Sequence, residues 1–149
     1  MKTENHQRER LIMFKSKKFL ILQAILLILL LESTLISAKA KKSVKIINTI
    51  EESEKLTAHC KSKDDDLGIH EIFFGKDIEW TFKVNFWRTT KYYCYMSWGG
   101  KSLAFDAYDY DRDYRYCGSC IWKFQTKGAF SWNYDKLIWD FRFPWANTN

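Results

Sequence analysis

The sequence predicts an all-β fold, a small antiparallel β-sandwich of seven to eight strands that is stabilised by disulfides and preceded by an N-terminal segment outside the sandwich. Three observations carry this. Beyond residue 42, apolar and polar residues alternate with a period of two in one short run after another. Glycine- and aspartate-rich turn signals separate the runs, and all four cysteines fall in the same stretch. With eleven Phe, eight Tyr and seven Trp among 149 residues, but one Pro and six Gly, the chain has ample material for a core. That composition excludes a disordered or collagen-like polymer. The length excludes a multi-domain enzyme.

The N-terminal segment comes first. Lys2, Arg8, Arg10, Lys15, Lys17 and Lys18 precede an apolar run from Phe19 to Leu31 broken only by Gln23, and the small residues of Ser37-Ala38-Lys39-Ala40 follow. This order of basic, apolar and small segments is that of a secretory signal peptide. The 13-residue run makes a helix of about 20 Å, short of a hydrocarbon core of about 30 Å. Cleavage after Ala38 or Ala40 is therefore expected, with 1–40 as signal peptide and 41–149 as the mature, extracellular domain. Met13 would be an alternative start, giving a signal of more usual length. The formal charge of +6 then divides into +4 for residues 1–40 and +2 for the rest, too little to drive binding to nucleic acid or anionic lipid. Residues 41–149 hold no Asn-x-Ser/Thr acceptor, so no N-glycan is expected.

The strands follow. Leu56, Ala58 and Cys60 share one parity, and Trp80, Phe82, Val84 and Phe86 share another run opposite Thr81, Lys83 and Asn85. The pattern repeats in Tyr92-Cys94-Met96-Trp98, Leu103-Phe105-Ala107, Cys120-Trp122-Phe124, Phe130-Trp132-Tyr134 and Leu137-Trp139-Phe141-Phe143, taking alternate residues. Turns are expected at Lys63–Gly68, Gly75–Asp77, Trp98–Lys101 and Lys127–Gly128, with Gly99-Gly100 closing a hairpin. Residues 107–116 are charged and aromatic on both parities and are expected as a long exposed loop. Loops on rigid sandwiches carry recognition, and Tyr and Arg are favoured recognition residues. Tyr108, Tyr110, Arg112, Tyr114, Arg115 and Tyr116 are thus candidate partner-binding residues.

Cys60, Cys94, Cys117 and Cys120 read as two disulfides in an oxidising compartment. Four cysteines allow three pairings. A Cys117–Cys120 bond would close a very short loop, and the connectivity expected is Cys94–Cys117 with Cys60–Cys120. Cys117-Gly-Ser-Cys120 has the spacing of a thiol–disulfide exchange site, but the residues after it alternate like a strand, without the helix that lowers a thiol pKa. One close cysteine pair is too few for a structural zinc site. Asp109, Asp111 and Asp113 match the first ligand positions of an EF-hand, yet Tyr114 and Cys120 stand where Gly and Glu are needed. No metal and no cofactor are expected.

His59 and His70, the two histidines of the mature region, could serve as general acid and base in a secreted ribonuclease. The aromatic content could instead serve a carbohydrate-binding sandwich, although the alternation places most of the rings in the core.

Several segments together resemble a known family. His59-Cys-Lys-Ser62, Asp64-Asp-Asp-Leu-Gly68, Asn85-Phe-Trp-Arg-Thr-Thr90, Tyr93-Cys94 and the Cys117, Cys120, Trp122 cluster are similar to the motifs of the plant self-incompatibility S-protein homologues. The resemblance runs from roughly residue 43 to the C-terminus. It implies a disulfide-stabilised sandwich acting as a secreted, non-enzymatic ligand in extracellular cell–cell signalling, of which rejection of self pollen in poppies is one case. The partner implied is an unidentified cell-surface receptor protein; nucleic acid, a membrane inserted after signal cleavage and oligomerisation are not expected. Arg88 departs from the family pattern, which has Gly there, and a positive φ at that position would cost about 1 kcal/mol.

Overall fold

A computed structural model describes residues 2–39 and 41–147. The chain divides into two compact units, Met1–Ala40 and Lys41–Asn149. The first is a single helix, α1 (Lys2–Lys39), and among the described residues no helix is long and apolar enough to cross a membrane. Met1 and Ala40, invoked above for the start and the cleavage site, lie outside the described residues.

The second unit is a two-sheet sandwich. Its elements are β1 (Lys41–Asn48), β2 (Leu56–Lys61), β3 (Asp66–Ile72), β4 (Asp77–Lys83), β5 (Lys91–Trp98), β6 (Lys101–Asp109), the single helical turn α2 (Tyr110–Asp113), β7 (Ser119–Gln125), β8 (Gly128–Asn133), β9 (Ile138–Pro144) and β10 (Ala146–Asn147). One sheet, called A, has the order β4-β1-β7-β8-β9, and the other, B, the order β10-β6-β5-β2-β3. Val44 and Ile46 of β1, Trp122 and Phe124 of β7 and Phe82 of β4 face Leu56, Ala58, Met96, Phe105 and Tyr108 of sheet B across a dry core. Edge-to-face ring pairs tie the sheets together, Phe105 to Trp122 at 4.7 Å and Phe82 to Tyr108 at 4.8 Å. Asn48, fully buried at the end of β1, donates to the carbonyls of Ile72 and Glu54 and accepts from the Ile50 amide, so its burial leaves no polar atom unpaired.

Among the described residues the sandwich has ten strands, three more than alternation marks, because β1, β3 and β10 lack a clear apolar signature. β3 is an edge strand that begins inside the Asp-rich turn signal and buries only Ile72. β10 has two residues, and β1 carries three lysines, although it lies in the middle of sheet A. β1 also pairs with β7 in parallel, Val44 opposite Cys120, which makes sheet A mixed.

The expected disulfide connectivity is corrected. Cys60 and Cys94 are direct register partners on the antiparallel strands β2 and β5, with Cα atoms 4.0 Å apart, and are bonded to each other. Both belong to sheet B, whereas Cys120 belongs to sheet A. Cys117 and Cys120 are bonded across the short loop, Cα atoms 5.2 Å apart. Each bond thus staples one sheet rather than crossing the core.

The parity reading fails in sheet A at its far edge. Ala129, not Phe130, faces the core from β8, opposite Phe124. Phe130 and Trp132 are therefore on the outer face, and a register shift opposite Ala129 and Phe130, which skips residue 142 of β9, brings Phe141 and Trp139 opposite them on that same face. Phe86 likewise leaves the core: it lies beyond β4 and is 89% exposed.

Candidate functional site

The strand directions gather four connections at one end of the sandwich: residues 62–65, 84–90, 110–118 and 134–137, with the first residues of β1 beside them. Both disulfides lie just behind this end. Cys60 precedes the 62–65 loop, Cys94 follows the 84–90 turn, and Cys117–Cys120 closes the segment after α2.

Residues 84–90 form a turn tied by its own side chains. The Asn85 amide N–H donates to Thr90 Oγ1 (2.8 Å), Asn85 Nδ2 donates to Thr89 Oγ1 (3.0 Å), and the Thr89 amide donates to Asn85 Oδ1 (2.9 Å). Arg88 adopts φ 59° in this turn, so the arginine occupies the left-handed conformation that a glycine would take without strain. At the tip, Phe86 and Trp87 are 89% and 79% exposed and pack edge-to-face on each other at 5.4 Å. The Asn-x-x-x-Thr-Thr spacing was the available signal for this turn; period-two counting overrode it for Phe86.

Residues 107–116 are not a long loop. Ala107, Tyr108 and Asp109 finish β6, and Tyr108 is fully buried, which removes it from the partner-binding candidates. Burial pushes its hydroxyl well above the ordinary value, with Asp113 adding to the effect. Asp109 caps α2 by accepting from the Asp111 amide. Asp113 turns inward, accepts from the Asp109 amide and takes two hydrogen bonds from Arg112, whose guanidinium also donates to the Asp106 carbonyl. Arg112 is therefore committed to holding α2, and Tyr110 is stacked on Tyr114 at 4.7 Å. Tyr114, Arg115 and Tyr116 are exposed, Tyr114 with its ring also under the Lys42 ammonium.

The two loops are linked. The Tyr110 amide donates to the Thr90 carbonyl, and Lys91 bridges Asp109 (2.7 Å) and Asp106 (3.1 Å). Lys91 holds the Asp109 carboxyl below its ordinary pKa. From β1, Lys42 Nζ donates to the carbonyls of Tyr114 (2.8 Å) and Cys117 (2.9 Å), satisfying acceptors at the end of the helical turn.

A cleft of 310 Å³ opens beside α2 and is walled by Arg112, Tyr116, the Cys117–Cys120 bridge, Tyr134 and Arg142. Its chemistry is not that of a redox centre. Cys117 follows the C-terminal end of α2, accepting no helix N-terminus, and the Asp113 carboxylate lies within 4.8 Å of both sulfurs. Both features disfavour a thiolate. With the sulfurs bonded to each other, this same trio offers a metal one carboxylate and no thiolate.

The two histidines do not converge. His59 points outward from β2 and bonds Asp66 Oδ1 at 2.7 Å, while His70, opposite core-facing Ala58 on β3, projects toward the other face and bonds the Leu67 carbonyl. An acid–base pair acting on one phosphate needs both on one side.

Comparison with known proteins now fixes the family. The family model described as plant self-incompatibility protein S1 matches residues 43–145. The chain belongs to this family. S-protein homolog 29 of Arabidopsis thaliana is 36% identical over 131 residues, covering 87% of this chain and 96% of that protein. Self-incompatibility protein S1 of Papaver rhoeas is 32% identical over 100 residues, 64% of this chain and 71% of that one. A solved self-incompatibility protein homologue, from a family described as small, highly stable, secreted plant proteins, shares the fold with a TM-score of 0.52 at 21% identity, covering 70% of this chain and 89% of its own.

Proposed function

We propose that this S-protein homologue is a secreted, non-enzymatic ligand that presents the loop-bearing end of its sandwich to a cell-surface receptor protein, in extracellular cell–cell signalling of which rejection of self pollen is the specialised form. The observation that carries the reading is the Phe86–Trp87 pair. Two large rings, 89% and 79% exposed, add nothing to the core, yet their turn is held by Asn85, Thr89 and Thr90 and keeps a left-handed Arg88. Rigid exposed aromatics lose little entropy on binding and are what interface anchors are made of. Tyr114, Arg115 and Tyr116 are exposed on the loop after α2, which is bonded to the Phe86–Trp87 turn through the Tyr110 amide and the Thr90 carbonyl.

Labelled protein is expected to bind plant protoplasts, stripped of wall polysaccharide, saturably, and protease treatment of the protoplasts should abolish the binding. Unsaturable binding, or binding that survives protease, would contradict a receptor protein. Incubation with RNA is expected to give no turnover; turnover lost in His59→Ala would overturn the non-enzymatic reading.

A further inference from the structure

The outer face of sheet A is a second surface, which meets the loop-bearing end at Trp132, a residue that also lines the cleft beside α2. Four rings stand on it in two cross-strand pairs, Trp132 opposite Trp139 (5.3 Å) and Phe130 opposite Phe141 (5.2 Å). Lys123 of the neighbouring strand β7 lies opposite Phe130, and its ammonium sits 4.3 Å from the centre of the Trp139 ring and 5.7 Å from that of Phe130. No carboxylate among the described residues pairs with it, whereas Lys45, Lys55 and Lys91 all have acidic partners. Burial against the rings lowers the Lys123 pKa, which is the expected mark of a cation lacking a counter-ion.

The indole N–H groups make the same contrast. Trp98, Trp122 and Trp145 donate to Glu54, to the Ala107 carbonyl and to the Gln125 carbonyl. The N–H groups of Trp132 and Trp139 have no acceptor among the described residues; that of Trp80 also lacks one but is buried, whereas these two stand on the outer face. A shallow strip mounted on regular strands, with stacking surfaces, free donors and one unpaired cation, calls for an extended ligand bearing flat apolar faces, acceptor oxygens and negative charge. Pyranose rings supply the C–H faces and the hydroxyls, and a uronate supplies the charge.

We propose that the strip formed by Lys123, Phe130, Trp132, Trp139 and Phe141 binds an acidic polysaccharide, with a uronate carboxylate paired to Lys123 and the sugar rings laid on the aromatic side chains. This surface tethers the protein to a uronate-rich matrix and leaves the loop-bearing end free.

The test is titration of the oxidised full-length protein with polygalacturonate, its fully methyl-esterified form, poly-glutamate, and vesicles containing phosphatidylserine. Polygalacturonate is expected to bind, with affinity falling about tenfold in Lys123→Gln and in Trp139→Ala and retained in Lys123→Arg, which keeps a cation over the rings. Lys76→Gln serves as a charge-matched variant outside the strip and should bind normally, and circular dichroism confirms that each variant is folded. Equal binding of the methyl ester, equal binding of poly-glutamate or of vesicles, no binding at all, or affinity unchanged in folded Lys123→Gln would each overturn the proposal.

Discussion

The two ends of the sandwich are built differently. At one end the chain reverses through tight glycine turns: Gly75, Gly99, Gly100 and Gly128 all take positive φ there, where glycine adopts it without strain. At the other, Gly68 also takes positive φ, but the left-handed positions 88 and 137 are held by Arg and Leu, and loops are fixed by Asn85, Asn133, Arg112, Lys42 and two disulfides. One end turns the chain with minimal material. The other spends side chains, bridges and strain on fixing exposed loops, and such strain is tolerated where surrounding structure over-determines it.

The contrast can be broken at the plain end first. Gly128→Val would drive a Cβ into the Phe143 carbonyl and force φ 143° on a β-branched residue, so a loss of about 3 kcal/mol or more in chemical denaturation is expected. At the loop-bearing end, replacing Cys60 and Cys94 by Ser opens a 34-residue separation, and should cost about 4 kcal/mol. Replacing Cys117 and Cys120 opens a separation of 3 and should cost only about 2 kcal/mol, the loss appearing locally as faster amide exchange over residues 110–118. If the two double variants lose equal stability, the bridges do not act through loop closure.

Smaller effects sharpen the picture. Arg88→Gly relieves the left-handed strain and is expected to raise stability by up to about 1 kcal/mol in the same denaturation assay. The Asp109–Lys91 pair gives the smallest effect, because both side chains are partly solvated. The folded Asp109 carboxyl titrates below its unfolded value of about 4, so its contribution is complete above that pH and is lost as the pH falls through the lower, folded value. Loosening of α2, followed through the amide signals of residues 110–116, should therefore appear only in acid and lose its pH dependence in Asp109→Asn.

Alternation alone revealed the sandwich, because strands such as β2 and β5, buried on one face, must alternate: Leu56-Ala58-Cys60 and Tyr92-Cys94-Met96 all point inward. It failed where the cause of order is not burial. β3 is held by backbone pairing at an edge, and the β8–β9 register shift reverses which parity faces the core. The disulfides were misread for the same reason: pairing depended on register, Cys60 opposite Cys94, which spacing along the chain does not encode. At the candidate site, composition located the 107–116 segment, but only the fold separates the buried Tyr108 and the engaged Arg112 from exposed Tyr114, Arg115 and Tyr116. The Phe86–Trp87 tip was hidden inside an apolar run, since exposure of large rings is what a core-seeking pattern cannot foresee.

The most direct test of the central claim measures saturable binding of labelled protein to wall-free plant protoplasts for three folded forms: the unsubstituted chain, Phe86→Ala with Trp87→Ala, and Lys76→Ala with Lys127→Ala at the opposite end. The account predicts that the ring-deleted form keeps its denaturation midpoint, because neither ring packs in the core, and loses at least about tenfold in affinity, while the opposite-end form binds normally. Undiminished binding by the ring-deleted form, or equal loss in both variants, would contradict it.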